Sequence, residues 1–164
     1  MTTESHRTPL GHALGRIPSG LYILSVRSGG TATGMLASWV QQAGFDPPMV
    51  TVAVARQRFV ADWITASGRF TLSQLAQGSK PLLRHFAKGF GPNEPAFDGV
   101  PLREDSTAEG GPVLADALGF LDAEVVGEVG SGDHRVFLGR VVAGRVFDSA
   151  PEPFVHLRGN GFHY

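Results

Sequence analysis

The sequence predicts a mainly β domain, a barrel of short strands with two or three short helices added. Three observations favour this fold. Apolar, β-prone runs such as residues 21–26 and 49–55 are short and are bounded by Gly, Pro or charge, which is typical of strands. Residues 121–129 alternate between apolar and acidic side chains, the pattern of a half-buried antiparallel strand. Helical spacing occurs only in brief stretches, so a barrel with helical additions is the expected architecture.

The first half of the chain contains three β-prone runs, which we expect to be strands: residues 21–26, 31–40 and 49–55. Ser28-Gly29-Gly30 separates the first two and is typical of a hairpin turn. Phe59, Val60, Trp63 and Ile64 then recur at the spacing of an amphipathic helix. Gly68 is expected to end that helix, because glycine is common just past a helix C-terminus.

The second half begins with a central strand around Phe70 and Leu72 and a helix that starts at Ser79 and closes at Gly89. Residues 89–112 are rich in Gly, Pro and charge and predict a long loop, a length usually associated with function or disorder. The alternating strand and its return strand complete the domain, in this order: residues 121–129, the turn 130–133 and residues 134–147. Gly139 and Gly144 are expected as bulges in the return strand.

Length and composition limit the classes of protein to consider. The 164 residues fit one domain, residues 10–164, preceded by a flexible tail, residues 1–9. The formal charge of −1 suggests no nucleic-acid or membrane surface, and a leader-like apolar segment is missing, so we expect a cytoplasmic protein. The sequence has no cysteine, which excludes disulfides, thiolate nucleophiles and Fe–S clusters. Any redox chemistry would need a bound cofactor.

Residues 34–58 carry the strongest functional signal. Gly34, Ala37 and Ser38 keep one wall of the predicted barrel thin, so that a flat ligand could approach the backbone. Arg56 and Arg58 follow a strand end, where a guanidinium can bind phosphate oxygens in bidentate fashion. A ring at one end and a phosphate at the other predict a nucleotide cofactor. The alternative is an ordinary barrel strand followed by two solvated arginines.

Five segments, in this order along the chain, resemble the flavin-reductase-like family: residues 14–21, 34–58, 67–73, 83–88 and 132–134, with Arg158-Gly159 near the end. The resemblance covers about residues 10–160 and is nearest to the flavin-reductase module of flavodiiron proteins. It implies an FMN-binding split β-barrel of Greek-key type. No Gly-x-Gly-x-x-Gly motif is present, so any NAD(P)H would bind transiently against the flavin rather than on a Rossmann unit.

The resemblance also implies a set of cofactor-binding residues for FMN, with FAD as the alternative flavin. They are Ala37, Ser38, Trp39, Val40, Ala55, Arg56, Arg58, Ser73, Gln74 and Lys88. Trp39 is expected near the flavin or a dimer partner. A solvated helix face is the alternative for Lys88, and strand-end surface is the alternative for Ser73 and Gln74. No metal site is expected, because the six histidines show no tight ligand spacing.

His134 is the catalytic candidate. In the reductases that this chain resembles, a Gly-Asp-His turn lies near the flavin where nicotinamide stacks, and the histidine there would position the nicotinamide or adjust the flavin. A hydrogen-bonded structural histidine is the alternative. Arg158, Phe162 and Tyr164 are expected in the nicotinamide pocket, although His156 stands where the family's closing motif often has Tyr.

The expected function is therefore an NAD(P)H-dependent flavin reductase that transfers hydride from nicotinamide to FMN. Two alternatives remain: a non-enzymatic FMN electron carrier reduced by a protein partner, and a split-barrel module that binds haem or another flat ligand. The resemblance implies a homodimer and an oxygenase or other electron-accepting partner. Nucleic acid and membrane are not expected as partners.

Overall fold

The computed structural model describes residues 8–163. Of the expected tail, residues 1–7 lie outside the described residues, while Thr8 caps the first helix by accepting a 3.2 Å hydrogen bond from the Gly11 amide. Three helices follow in the chain: α1 Pro9–Gly15, α2 Phe59–Ser67 and α3 Lys80–Ala87. The nine strands are β1 Ser19–Gly20, β2 Tyr22–Ser28, β3 Thr31–Ala37, β4 Val40–Gly44, β5 Met49–Ala55, β6 Arg69–Gln74, β7 Gly119–Ser131, β8 His134–Val146 and β9 Val155–His156.

Seven strands form one antiparallel sheet in the order β3-β2-β6-β7-β8-β5-β4. Strands β3 and β4 lie at opposite edges of this order, yet only Ser38 and Trp39 separate them in the chain. The sheet must therefore curve until the end of β3 lies close to the start of β4. The Ala53 amide donates a 3.1 Å hydrogen bond to the Trp39 carbonyl, which extends the β4–β5 ladder by one residue. This is the expected split barrel. Strands β1 and β9 form a separate two-stranded sheet.

Two details of the predicted strands were wrong. The run 31–40 is broken at Ser38 and Trp39, because the chain there leaves one edge of the sheet for the other. The irregularities of the β7–β8 ladder fall at Val126 and Val142 rather than at Gly139 and Gly144. Gly139 is needed for packing instead, since a Cβ there would lie 2.8 Å from Cζ of Phe70.

The predicted helix limits are confirmed. Gly68 ends α2 with φ of 70°, a left-handed conformation that glycine adopts without steric cost. Ser79 precedes α3, but its hydroxyl accepts a hydrogen bond from the Ala76 amide at 3.2 Å instead of capping the helix. Gly89, with φ of 74°, follows the helix and turns the chain into the long loop.

The core lies in two clusters that share the sheet. One fills the barrel beneath α2, with Val52, Phe70 and Phe137 fully buried. The other packs α3 and the long loop against the outer side of β2 and β3, around Ile23 and Phe86. Residues 8–163 include no helix that is both long and apolar enough to cross a membrane.

The long loop is anchored to the sheet by a buried carboxylate. Asp122 on β7 is 1% exposed and accepts hydrogen bonds from the Thr71 hydroxyl at 2.7 Å and from the Glu109 and Gly110 amides at 2.9 and 3.0 Å. A buried carboxylate needs such donors, because an unpaired buried charge is costly. The loop therefore returns to the sheet at a fixed place and holds α3 in position.

Candidate functional site

A cavity of about 300 Å³ lies where α3 packs beside the ends of β3 and β5. Its size is at the lower end of ligand pockets. Its lining comes from five parts of the chain: Leu21, Met35, Leu36, Ala37, Ser38, Ala53, Ala55, Arg58, Leu83, Phe86, Ala87, Gly89 and His156. A larger depression of about 550 Å³ lies over β6, β7 and β8 and contains only Gln74 of the predicted cofactor residues. The smaller cavity, which contains four of them, is the candidate functional site.

Small side chains make one wall of this cavity. Ala37, Ala53 and Ala55 line it, so ligand atoms can approach the backbone of β3 and β5 closely. Gly34 has a different role from the expected one. A Cβ at Gly34 would lie 2.9 Å from Cζ of Phe97 and 3.0 Å from Cε1 of Phe86, so this glycine lets the opposite wall pack against β3.

Ser38 provides the polar group of the cavity. It is 7% exposed, lines the cavity, and its hydroxyl has no hydrogen-bond partner among the described residues. Leaving a buried hydroxyl unpaired costs about 1–3 kcal/mol. Ser25 and Thr33 also carry unpaired hydroxyls, but neither lines the cavity. A flat ligand with a polar edge, such as a flavin ring, would fit this wall and satisfy Ser38.

The two arginines that the sequence grouped together lie in different surroundings. Arg58 lines the cavity, and a Cβ on Gly89 at the end of α3 would be 3.0 Å from its Nη1. Arg56 instead turns to the β7–β8 hairpin, where its Nε donates a 2.7 Å hydrogen bond to the Gly132 carbonyl. Arg58 therefore fits an anionic ligand group at the cavity, and Arg56 is engaged elsewhere.

His134 is held at the start of β8 beside this cavity. It pairs with Ala55 across the β5–β8 ladder and is 7% exposed. Its Nδ1 lies 2.7 Å from the Asp133 carboxylate, and this hydrogen bond lowers the pKa of Asp133. An ionised carboxylate only accepts hydrogen bonds, so Nδ1 carries the proton.

Three of the predicted residues, Trp39, His134 and Arg158, lie close together. The Trp39 ring centroid lies 4.7 Å from that of His134, and the Arg158 guanidinium lies 5.2 Å from the Trp39 ring. We call Trp39, His134 and Arg158 the aromatic cluster. None of the three lines the cavity, but the cluster is connected to it through the backbone, since Trp39 directly follows Ser38 and His134 is paired with Ala55. A cation and two flat rings at this place offer a stacking surface.

The other predicted residues do not line the cavity. Ser73 is fully buried, and its hydroxyl accepts a 3.2 Å hydrogen bond from the Leu114 amide. The Lys88 ammonium lies 4.9 Å from the Phe90 ring centroid, and Val40 begins β4. Phe162 is 48% exposed and packs against Gly11, whereas Tyr164 lies outside the described residues.

Sequence reasoning missed several residues of the cavity. Leu83 and Phe86 lie in the predicted helix between Ser79 and Gly89 and were not among the predicted site residues, although they form the far wall of the cavity. His156 was noted only as a departure from the family's closing motif. It reaches the cavity because β9 pairs with β1, where His156 lies opposite Ser19. A pairing between residues this distant in the chain leaves no local sequence signal.

The split barrel and its alanine-lined cavity define a class of protein that can hold a flat ligand. Comparison with known proteins gives the family. The model of the flavin reductase like domain matches residues 14–163, so the chain belongs to the flavin reductase-like family. It is 39% identical over 162 residues to diflavin flavoprotein A 1 of Synechocystis sp., which covers 98% of this chain and 28% of that relative. The chain thus spans about a quarter of the length of the curated relatives it matches.

Solved structures give the same result. The chain resembles the NADH:FAD oxidoreductase SgcE6 of Streptomyces globisporus C-1027 with a TM-score of 0.81 and 28% identity, covering 98% of this chain and 93% of that one. The styrene monooxygenase flavin reductase of Pseudomonas putida S12 follows with a TM-score of 0.76 and 26% identity, covering 92% and 93%. The family expected from the sequence is thus confirmed.

Proposed function

We propose that this protein is an NAD(P)H-dependent flavin reductase that binds FMN in the cavity between α3, β3 and β5. The observation that carries the proposal is the buried, unpaired Ser38 hydroxyl in an alanine-lined wall. A flavin ring has a polar edge that would satisfy this hydroxyl and flat faces that suit the small side chains. Bound flavin would supply the redox chemistry by accepting a hydride from nicotinamide.

Arg58 would hold the phosphate of the cofactor. Its guanidinium is exposed at one end of the cavity, next to Gly89, and a charge-assisted contact to phosphate is stronger than a neutral hydrogen bond. FAD is the second candidate flavin. It is favoured by the Streptomyces relative, which is named an NADH:FAD oxidoreductase and has a second structure in complex with NAD and FAD fragments.

The aromatic cluster would form the nicotinamide side of the site. Trp39 and His134 supply ring surfaces, and Arg158 adds a positive charge close to the Trp39 ring. Asp133 holds the proton on Nδ1 of His134 and so fixes the orientation of its ring. These residues would orient the nicotinamide and exclude water, which raises the rate of a direct transfer between two bound rings.

We also propose a homodimer. Leu121, Val142 and Val146 are 36%, 44% and 68% exposed, and all three line the larger depression over β6, β7 and β8. A second copy would cover this apolar surface, and two-fold dimers are the commonest oligomers. The proposed electron acceptor is an oxygenase, since a structural relative is named as the flavin reductase of styrene monooxygenase.

A non-enzymatic FMN electron carrier is the second candidate. It is favoured by the diflavin relatives, of which this chain matches only about a quarter, because in such a protein the domain could exchange electrons with other parts. A module for haem or another flat ligand is the third.

The absorption spectrum of the purified protein, before and after NADH or NADPH is added, tests these proposals. A reductase binds FMN and shows the flavin absorption band at about 450 nm. The absorbance of this band falls when NADH or NADPH is added and the nicotinamide is oxidised. An FMN band that NAD(P)H does not bleach would favour the carrier. A Soret band, or no binding of either FMN or FAD, would reject both the reductase and the carrier.

A further inference from the structure

We infer that Arg56 is a positioning residue for His134 and acts by clamping the β7–β8 hairpin at its turn, residues 132–133. This inference deepens the proposed function and rests on it, since His134 is the proposed nicotinamide-side residue. The sequence grouped Arg56 with Arg58 as a phosphate ligand, but the geometry gives the two arginines different tasks.

Two hydrogen bonds join Arg56 to the turn. Its Nε donates to the Gly132 carbonyl at 2.7 Å, and its backbone amide donates to the Asp133 carbonyl at 2.9 Å. The second bond extends the β5–β8 ladder by one residue past the Ala55–His134 pair. Arg56 therefore contacts both residues that directly precede His134, with its side chain on Gly132 and its backbone amide on Asp133, and it does so from just past the end of β5.

Gly130 makes room for this clamp. A methyl group at Gly130 would overlap Nη2 of Arg56, so the guanidinium lies directly on the backbone of the hairpin. Gly130 itself has no positive φ, unlike Gly132 with φ of 64°, so its lack of a side chain serves the contact with Arg56 rather than the backbone conformation. Alanine at this position would leave the backbone unstrained and displace the guanidinium.

The clamp reaches the site through Asp133. The Asp133 carboxylate bonds Nδ1 of His134 at 2.7 Å, and the His134 ring in turn lies 4.7 Å from Trp39. A turn that moves shifts the carboxylate, the imidazole and the stacking surface together. The next residue, Arg135, is anchored separately by its ion pairs with Glu128 and Asp62, so loss of the Arg56 side chain removes the contact at Gly132 and leaves these ion pairs in place.

Three variants test the inference: Arg56→Ala, Arg56→Lys and Gly130→Ala. Each removes the planar Nε contact, and the lysine variant keeps the positive charge. We expect each to raise the KM for NAD(P)H or slow hydride transfer, on the order of tenfold to a hundredfold. The affinity for FMN should stay within roughly twofold. The double variant Arg56→Ala/Gly130→Ala should be no worse than either single one, because both break one contact. Arg27→Ala, at an exposed arginine on β2, is the matched control.

A second measurement does not need activity. In a Trp63→Phe background, Trp39 is the remaining tryptophan, and its emission reports the neighbouring His134 ring. Arg56→Ala and Gly130→Ala should change this emission in the flavin-free protein, whereas Arg27→Ala should not. If the wild type oxidises no NAD(P)H, the proposed function fails and the emission alone decides on the clamp. Unchanged Trp39 emission in Arg56→Ala and Gly130→Ala would overturn the clamp. So would weaker FMN binding in both Arg56 variants together with unchanged activity and FMN binding in Gly130→Ala.

Discussion

Replacing Arg58 by alanine should weaken the binding of FMN but not of riboflavin, which lacks the phosphate. Arg58 lies at the end of the cavity beside Gly89. A hydrogen bond to a charged group contributes about 1.5–3 kcal/mol. Because Arg58 is exposed, solvent screens the interaction, and we expect the lower end, about 1.5 kcal/mol or roughly a tenfold rise in Kd.

Quenching of flavin fluorescence measures both affinities, with Arg27→Ala as the control at an exposed arginine far from the cavity lining. The difference between FMN and riboflavin should shrink as salt is added, because ions screen exposed charges. If FMN and riboflavin weaken equally in the Arg58 variant, the arginine shapes the cavity without touching phosphate. If neither weakens, the phosphate lies elsewhere and the orientation of the flavin must be revised.

Three further predictions concern stability. Ser38→Ala should raise the stability of the flavin-free protein by up to about 1–3 kcal/mol, because it removes an unpaired hydroxyl, and should weaken FMN binding. A variant with lower stability and weaker FMN binding would show that the hydroxyl has a partner in the flavin-free protein. The hydrogen bond from Arg135 lowers the pKa of Glu128. The stability that this hydrogen bond gives the folded protein is therefore present above the ordinary carboxyl pKa of about 4.3 and is lost as the pH falls further. The urea midpoint of Arg135→Gln should accordingly change less with acid pH than that of the wild type. Gly139→Ala should cost about 1–3 kcal/mol in urea unfolding, since its Cβ would lie 2.8 Å from Phe70, and an unchanged midpoint would contradict this packing.

Local pattern was enough to predict much of the fold. The strand 49–55 and the helix ending at Gly68 were predicted from apolar spacing and a glycine stop, both of which act over a few residues. The break at Ser38 and Trp39 was missed because it depends on the chain passing from β3 at one edge of the sheet to β4 at the other. Strand pairing at that distance is a property of the whole barrel.

The candidate site was predicted only where one segment supplies it. Ala37, Ser38 and Ala55, which the sequence predicts as cofactor-binding residues, line the cavity because the ends of β3 and β5 both lie there. Arg56 and Arg58 could not be separated, since the hydrogen bond from Arg56 to Gly132 spans 76 residues. His156 enters from β9 by a similar long-range contact.

The β1–β9 pair has a consequence for how the domain opens. It consists of only two residue pairs, Ser19 with His156 and Gly20 with Val155, so amide exchange with solvent there needs only a small local opening. His156 nevertheless belongs to the cavity wall. A ligand that touches this wall is therefore thermodynamically linked to closure of the pair, and by mass action it would add about 2.7 kcal/mol of protection at a hundred times its Kd. Ligand binding in the cavity would thus stabilise the pairing of β1 with β9, which are far apart in the chain. A slower deuterium uptake at residues 155–156 would measure this stabilisation directly.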